Sequence, residues 1–362
     1  MARPPHNNSF DLVRFILAAL VLFSHHYGLS GFAAPKVPLI DISWGRFAVF
    51  AFFAVSGFLM YNSLQRSSDF YFYFTSRLLR IVPNLIVAVV ATSFILMIIF
   101  SNYDNVLSHL YYIRKDALSF IAKPSYWITG IFEDRPDRGI NGSLWTLQYE
   151  FFMYIVIFLI FLLPRKIVGY ALILTVVISS LPFLQSIDDT KRIATFHVNV
   201  GDLWKTGFHF LVGALIAHFW TKISTSRVVY ITIAIVTFTA LAIFAPDKQG
   251  WMLALIWVPF FVLSMSPFAS WFGKLGDASY GVYIYAFPIQ QVSILAIPSF
   301  WGSMAASLIL TVAIGFACWH GFEKRCLAKR RTVSERWRAS ASSALGATKG
   351  KASKFLDGIR SS

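Results

Sequence analysis

About ten apolar runs, each near the ~20 residues that a bilayer crossing needs, dominate this chain. In hydrocarbon every backbone N–H and C=O must be satisfied within the protein, so runs of this kind fold as helices. The spacing predicts spans over 12–29, 44–64, 79–100, 144–163, 167–184, 203–220, 228–245, 251–267, 278–297 and 301–322. Charged residues make up 14% of the chain and mean hydropathy is +0.62, whereas soluble domains carry about 25% charged residues. The expected fold class is therefore an all-α polytopic membrane protein. The first run has no small-residue cleavage pattern after it and reads as a retained helix, not a secretory signal.

Loop charges set the expected orientation. One set of loops holds Arg66, Arg77 and Arg80, then Arg165 and Lys166, then Lys222 and Arg227, then Lys274 and the C-terminal tail. The opposite loops carry balanced charge. The positive-inside rule places the first set and both termini in the cytoplasm, and an even number of spans agrees. From Glu323 to Ser362 eleven Lys/Arg face three Asp/Glu, so +8 of the net +15 lies there. The expected organisation is a transmembrane domain over 1–322 and a basic, disordered cytoplasmic tail over 323–362 that touches anionic membrane lipid. Beside a membrane span this charge argues against nucleic-acid binding.

The first span carries Arg14 and His25. An Arg at a helix centre costs roughly 2.5 kcal/mol or more, so such groups sit near an end, face a wet cavity or do chemistry. Eleven positions separate the two, within ~20° of three full turns, so they share one helix face about 16 Å apart. His26 points about 100° away. Arg14 is expected near the cytoplasmic end and His25, a candidate general base, toward the outer end. Arg77 and Arg80 share a face at a helix start. With Arg14 they form a set suited to the phosphates of a polyanionic cofactor on the inner side. Ser56 and Gly57 lie within the second span, where a small residue serves close approach of a ligand or, the better reading on spacing alone, helix packing.

Glu150 stands about two turns into the fourth span, at a depth like that of His25, as either a structural ion-pair partner or a carboxylate that orients an imidazole or a sugar hydroxyl. Trp145 and Tyr149 near the outer mouth suit stacking on a sugar ring or an interfacial belt. The remaining histidines show no metal-ligand spacing, so no metal is expected, and Cys318 and Cys326 suggest no disulfide. No P-loop, Gly-x-Ser-x-Gly elbow or His-Glu-x-x-His occurs.

Five segments in order resemble the bacterial membrane acyltransferase-3 family: Phe10-Asp-Leu-Val-Arg14 through His25, Phe53-Ala-Val-Ser-Gly-Phe-Leu59, Arg77-Leu-Leu-Arg-Ile-Val-Pro83, Ser143-Leu-Trp-Thr-Leu-Gln-Tyr-Glu150 and Leu275-Gly-Asp-Ala-Ser-Tyr-Gly-Val-Tyr283. The resemblance implies a multi-pass enzyme of the bacterial inner membrane that transfers an acyl group from acyl-CoA, usually acetyl-CoA, to a carbohydrate acceptor such as lipopolysaccharide or exopolysaccharide. It assigns catalysis to His25 and Glu150 and donor binding to Arg14, Arg77 and Arg80. The chain departs from the family where a histidine often stands, reading Tyr283-Ile-Tyr-Ala-Phe-Pro288. It also lacks the proline of a terminal Glu-x-Pro pattern, reading Phe322-Glu-Lys-Arg325, which leaves Glu323 without an assigned role. The competing classes are a transporter or flippase of a lipid-linked glycan, and the same fold transferring succinyl.

Overall fold

A computed structural model describes residues 8–67, 69–181, 192–193, 198–244 and 249–343. Among these, every element is helical apart from a two-residue antiparallel ladder, Arg192–Ile193 against Val198–Asn199, and one isolated bridge between Lys36 and Ser43. The helices are α1 (Phe10–Leu29), α2 (Trp44–Arg66), α3 (Phe70–Ile99), α4 (Val106–Asp116), α5 (Trp145–Phe161), α6 (Arg165–Ser180), α7 (Val200–His218), α8 (Trp220–Thr225), α9 (Arg227–Phe244), α10 (Gln249–Ser264), α11 (Ser279–Ala296), α12 (Phe300–Cys318) and α13 (Lys324–Ala328). A helix occupies each of the ten expected segments, although 182–184 and 245 lie outside the described residues. Five described helices are long and apolar enough to cross a membrane: Phe10–Leu29, Trp44–Arg66, Phe70–Ile99, Gly142–Phe161 and Phe300–Ala328.

Helix starts follow local chemistry. Ser43, Asp69, Asn199 and Ser299 each accept a backbone N–H of the first turn of α2, α3, α7 and α12, groups that otherwise lack an intrahelical partner. The most enclosed of the five long helices is α2, with 72% of its span buried, whereas the last is 22% buried and presents Ile309 and Leu310 outward. Small residues explain why α2 is central. A Cβ on Gly57 would run into the carbonyl of Phe210 on α7, and one on Gly213 would run into the carbonyl of Ala54. The two helices meet backbone to backbone, as glycine-lined membrane helices do. Gly57 is thus a packing residue between α2 and α7.

Two further features position the site. Gly276 takes φ +101°, and a Cβ there would collide with the indole of Trp319, so the start of α11 presses on the turn Trp319–Glu323 beyond α12. The tail expected to be disordered is helical through α13 and again over 330–343. Arg338 pairs with Asp69 there, and Trp337 packs on Phe70 and Tyr71, so the basic segment is tied to the start of α3.

Candidate active site

A cavity of ≈ 130 Å³ lies between α1, α2, α3, α5 and α11. On α2 its lining runs from Val49 to Met60, eleven positions and about 16 Å of helix. Arg14, Arg77 and Arg80 line one end, Ser56, Glu150 and Tyr154 its middle, and Phe52, Thr146 and Tyr283 the other end.

The arginine end is crowded with counter-charge. The Asp277 Oδ2 atom takes Arg14 at 2.8 Å and Arg80 at 2.5 Å, so one carboxylate oxygen joins α1 to α3. Its Oδ1 accepts the Ser279 hydroxyl at 2.6 Å. Burial pushes the Asp277 carboxyl up, but the Arg14 and Arg80 guanidiniums outweigh it and hold it at about 2. Arg14 also pairs with Asp11 at 2.5 Å, one helical turn before it. Arg80 stacks over Trp319 at 5.5 Å and lies 3.8 Å from Glu323. Glu323, 2% exposed, takes a hydrogen bond from Asn84 at 2.6 Å. Arg77 differs from the other two. It lies over the Tyr73 ring at 5.9 Å, its buried Nε has no hydrogen-bond partner, and it makes no ion pair among the described residues. A guanidinium with unused donors facing a cavity suits an incoming anion.

In the middle of the cavity Glu150 Oε1 accepts the Ser56 hydroxyl at 3.1 Å and the Tyr154 hydroxyl. The hydrogen bonds of Glu150 therefore run across α2 and along α5, and none reaches His25. At the far end the Tyr283 hydroxyl donates to the Ser143 carbonyl at 2.9 Å and shares a 2.8 Å bond with Thr146 Oγ1. Phe52 meets the Tyr283 ring edge-on at 5.8 Å.

His25 lies outside the cavity lining. Its ring meets Phe287 edge-on at 5.3 Å. Phe287 stands one helical turn beyond Tyr283, a cavity-lining residue, on α11. The carboxylate that acts on His25 is Asp137, in the loop between α4 and α5, and the buried imidazole Nδ1 has no hydrogen-bond partner among the described residues. Gln291 fixes that loop by donating to the carbonyls of Asp137 at 2.7 Å and Gly139 at 3.0 Å. The adjacent His26 is fully buried and bonds Ser303 and Gln290, a packing role.

Of the residues singled out in the sequence, one cavity gathers Arg14, Arg77, Arg80, Ser56 and Glu150, whereas His25, Gly57, Trp145 and Tyr149 lie outside its lining. Trp145 packs on Tyr149, whose hydroxyl accepts the Asn199 N–H at 3.2 Å. No group of three His, Cys, Asp or Glu among the described residues has metal-binding geometry. Sequence reasoning missed Asp277, Asp11 and Tyr154 and left Glu323 without a role. Asp277 carried a readable signal, an acid followed by Ser279 immediately before an apolar run, the pattern of a helix start.

The profile of an acyltransferase domain matches residues 7–320, and the chain belongs to that acyltransferase-3 family. An O-acetyl transferase of Shigella phage Sf6 is 30% identical over 329 residues, covering 89% of this chain and 97% of the phage protein. With that relative and the family match, the chain is an enzyme, an O-acetyltransferase. Nodulation protein 10 of Rhizobium leguminosarum bv. viciae is 28% identical over 233 residues, 60% of this chain and 62% of that protein. No solved structure matches.

Proposed function

We propose that this enzyme takes an acetyl group from a cytoplasmic acyl-CoA, acetyl-CoA above all, and places it on a hydroxyl of a cell-surface or exported carbohydrate. The observation that carries this reading is one cavity that joins three arginines to Glu150 and is lined by Tyr283, one helical turn before the Phe287 that meets His25. The donor's phosphates bind at Arg14, Arg77 and Arg80. The lining's ~16 Å run along α2 is of the order of a pantetheine arm. At the far end His25 takes the proton of the sugar hydroxyl as its oxygen attacks the thioester carbonyl. The C–S bond breaks and the thiolate of CoA receives a proton. A two-step route through an acyl-imidazole is the variant of this scheme. Glu150 tunes the cavity through Ser56 and Tyr154. Ten membrane crossings, cytoplasmic termini and a place in the bacterial inner membrane complete the proposal, supported by the loop charges.

The test is transfer from radiolabelled acetyl-CoA to envelope glycan by purified protein in lipid, with CoA release followed in parallel. Stoichiometric release of CoA and label in an ester is the expected result. Release absent with every glycan fraction, alongside glycan transport by the same protein, would favour a flippase and sink the proposal. Mass spectrometry of envelope glycans from a deletion strain identifies the acceptor by its missing acetyl ester.

A further inference from the structure

We infer that Phe52, Thr146 and Tyr283 form a size-selecting partition between the donor cavity and His25, which limits the enzyme to very short acyl groups. The inference rests on the proposed acyl-CoA chemistry and adds which acyl chains that chemistry accepts. Three observations carry it. First, these three side chains line the cavity that holds the arginines, and His25 is not in its lining. Second, the partition is fixed. The Tyr283 hydroxyl is bonded both to Thr146 at 2.8 Å and to the Ser143 carbonyl at 2.9 Å, and Phe52 abuts its ring at 5.8 Å. A phenol held at two points does not swing aside without losing both bonds. Third, the space behind it is full. Phe287, which touches His25, is packed so closely that a Cβ on Gly142 would sit 2.6 Å from its ring.

An acyl carbon that meets His25 must pass or displace this layer. An acetyl group asks for a small displacement, and each added methylene must be housed against a braced aromatic wall. One methylene too many in a well-packed site costs about 10- to 200-fold in specificity.

The experiment compares acetyl-, propionyl-, butyryl- and succinyl-CoA as donors to one acceptor glycan, by kcat/KM, for the wild type, Phe52→Ala and Tyr283→Phe. The wild type should favour acetyl over butyryl by ~10-fold or more. Phe52→Ala opens the partition, and Tyr283→Phe releases it while keeping the ring. Each should cut the acetyl-to-butyryl ratio to about 3 or less, with inhibition by free CoA unchanged because the arginine end is untouched. Should Phe52→Ala not insert, Phe52→Leu carries the same test. Equal use of acetyl and butyryl by the wild type overturns the inference. So does a loss in the variants that is the same for all four donors. In both of those cases acyl transfer itself stands. No transfer from any acyl-CoA overturns the proposed function as well.

Discussion

The two ends of α1 are built in opposite ways. At Arg14 the charged groups are over-determined. Asp11 and Asp277 hold the guanidinium, and Asp277 also holds Arg80. At His25 the polar environment is bare, with a ring edge, one carboxylate across a loop and an Nδ1 without a partner. A site that must seize a flexible polyanion gains from side chains already fixed, because less rotamer entropy is lost on binding. A base that must meet a substrate hydroxyl gains from an unfilled bond. On the proposed reading, the donor end is preorganised by the protein, whereas the acceptor end is completed by substrate.

The largest effect should come from the bare end. His25→Ala removes the proposed base and should lower transfer by ~10²- to 10⁴-fold, with CoA binding unchanged. Transfer at the normal rate by inserted protein would break the comparison outright. Next comes the crowded end. Arg77→Ala removes the arginine without a described ion pair and should weaken CoA binding by roughly 10-fold or more, in line with a charge-assisted contact of about 1.5–3 kcal/mol. Isothermal titration with CoA measures it. Arg14→Ala loses the same kind of contact and also frees Asp277 from one of its two partners, so its effect should be at least as large. An unchanged dissociation constant in both variants means the phosphates lie elsewhere.

Glu150 sharpens the boundary between the ends. Its hydrogen bonds go to Ser56 and Tyr154. Glu150→Gln keeps an acceptor for those hydroxyls while removing the charge. We expect a loss of several-fold to ~10-fold in kcat/KM, of the order of one altered charged hydrogen bond, carried by the donor's KM. A loss confined to kcat, with the pH profile moved, would place Glu150 with the histidine after all.

These assignments show what the sequence made legible. A periodic apolar run at 3.6 residues per turn is a local property, and a helix stands in each expected segment. The shared face of Arg14 and His25 is likewise local, and so is the Arg77–Arg80 pair. What the sequence hid is what tertiary packing decides. Glu150 is expected at the depth of His25, but the packing of α5 turns its carboxylate to Ser56 on α2 while His25 lies beside Phe287. Asp277 and Glu323 are far from Arg80 in sequence and meet it where Gly276 packs against Trp319. The tail's helix is held by Trp337 and Arg338, two contacts that composition alone reads as a charged and unstructured stretch.

The smallest expected effect separates the ends by pH. Asp277 sits at about 2, so its charge stays constant above about pH 4 and donor binding through it should be flat. Asp116, fully buried at the end of α4, is pushed by burial from 3.8 up to about 7, although it accepts the Ser125 N–H at 2.7 Å. The sign follows from linkage. A carboxyl that holds its proton more tightly folded than unfolded stabilises the loop fully below 3.8, and that contribution is lost as pH rises to and through about 7. The same loop supplies Ile140, whose N–H bonds the Tyr126 carbonyl at 2.7 Å, and leads into Asn141 above the histidine end. Hydrogen exchange of the amides around 116–126 should therefore quicken between pH ~5 and ~8, after correction for intrinsic chemistry, and Asp116→Asn should flatten the change. Affinity for dephospho-CoA, which lacks the phosphate monoester that titrates at about 6, should not move over the same range. A parallel drift of both would mean that the loop and the arginine end are one cooperative unit, and the contrast between a rigid donor site and a pliable acceptor site would have to be given up.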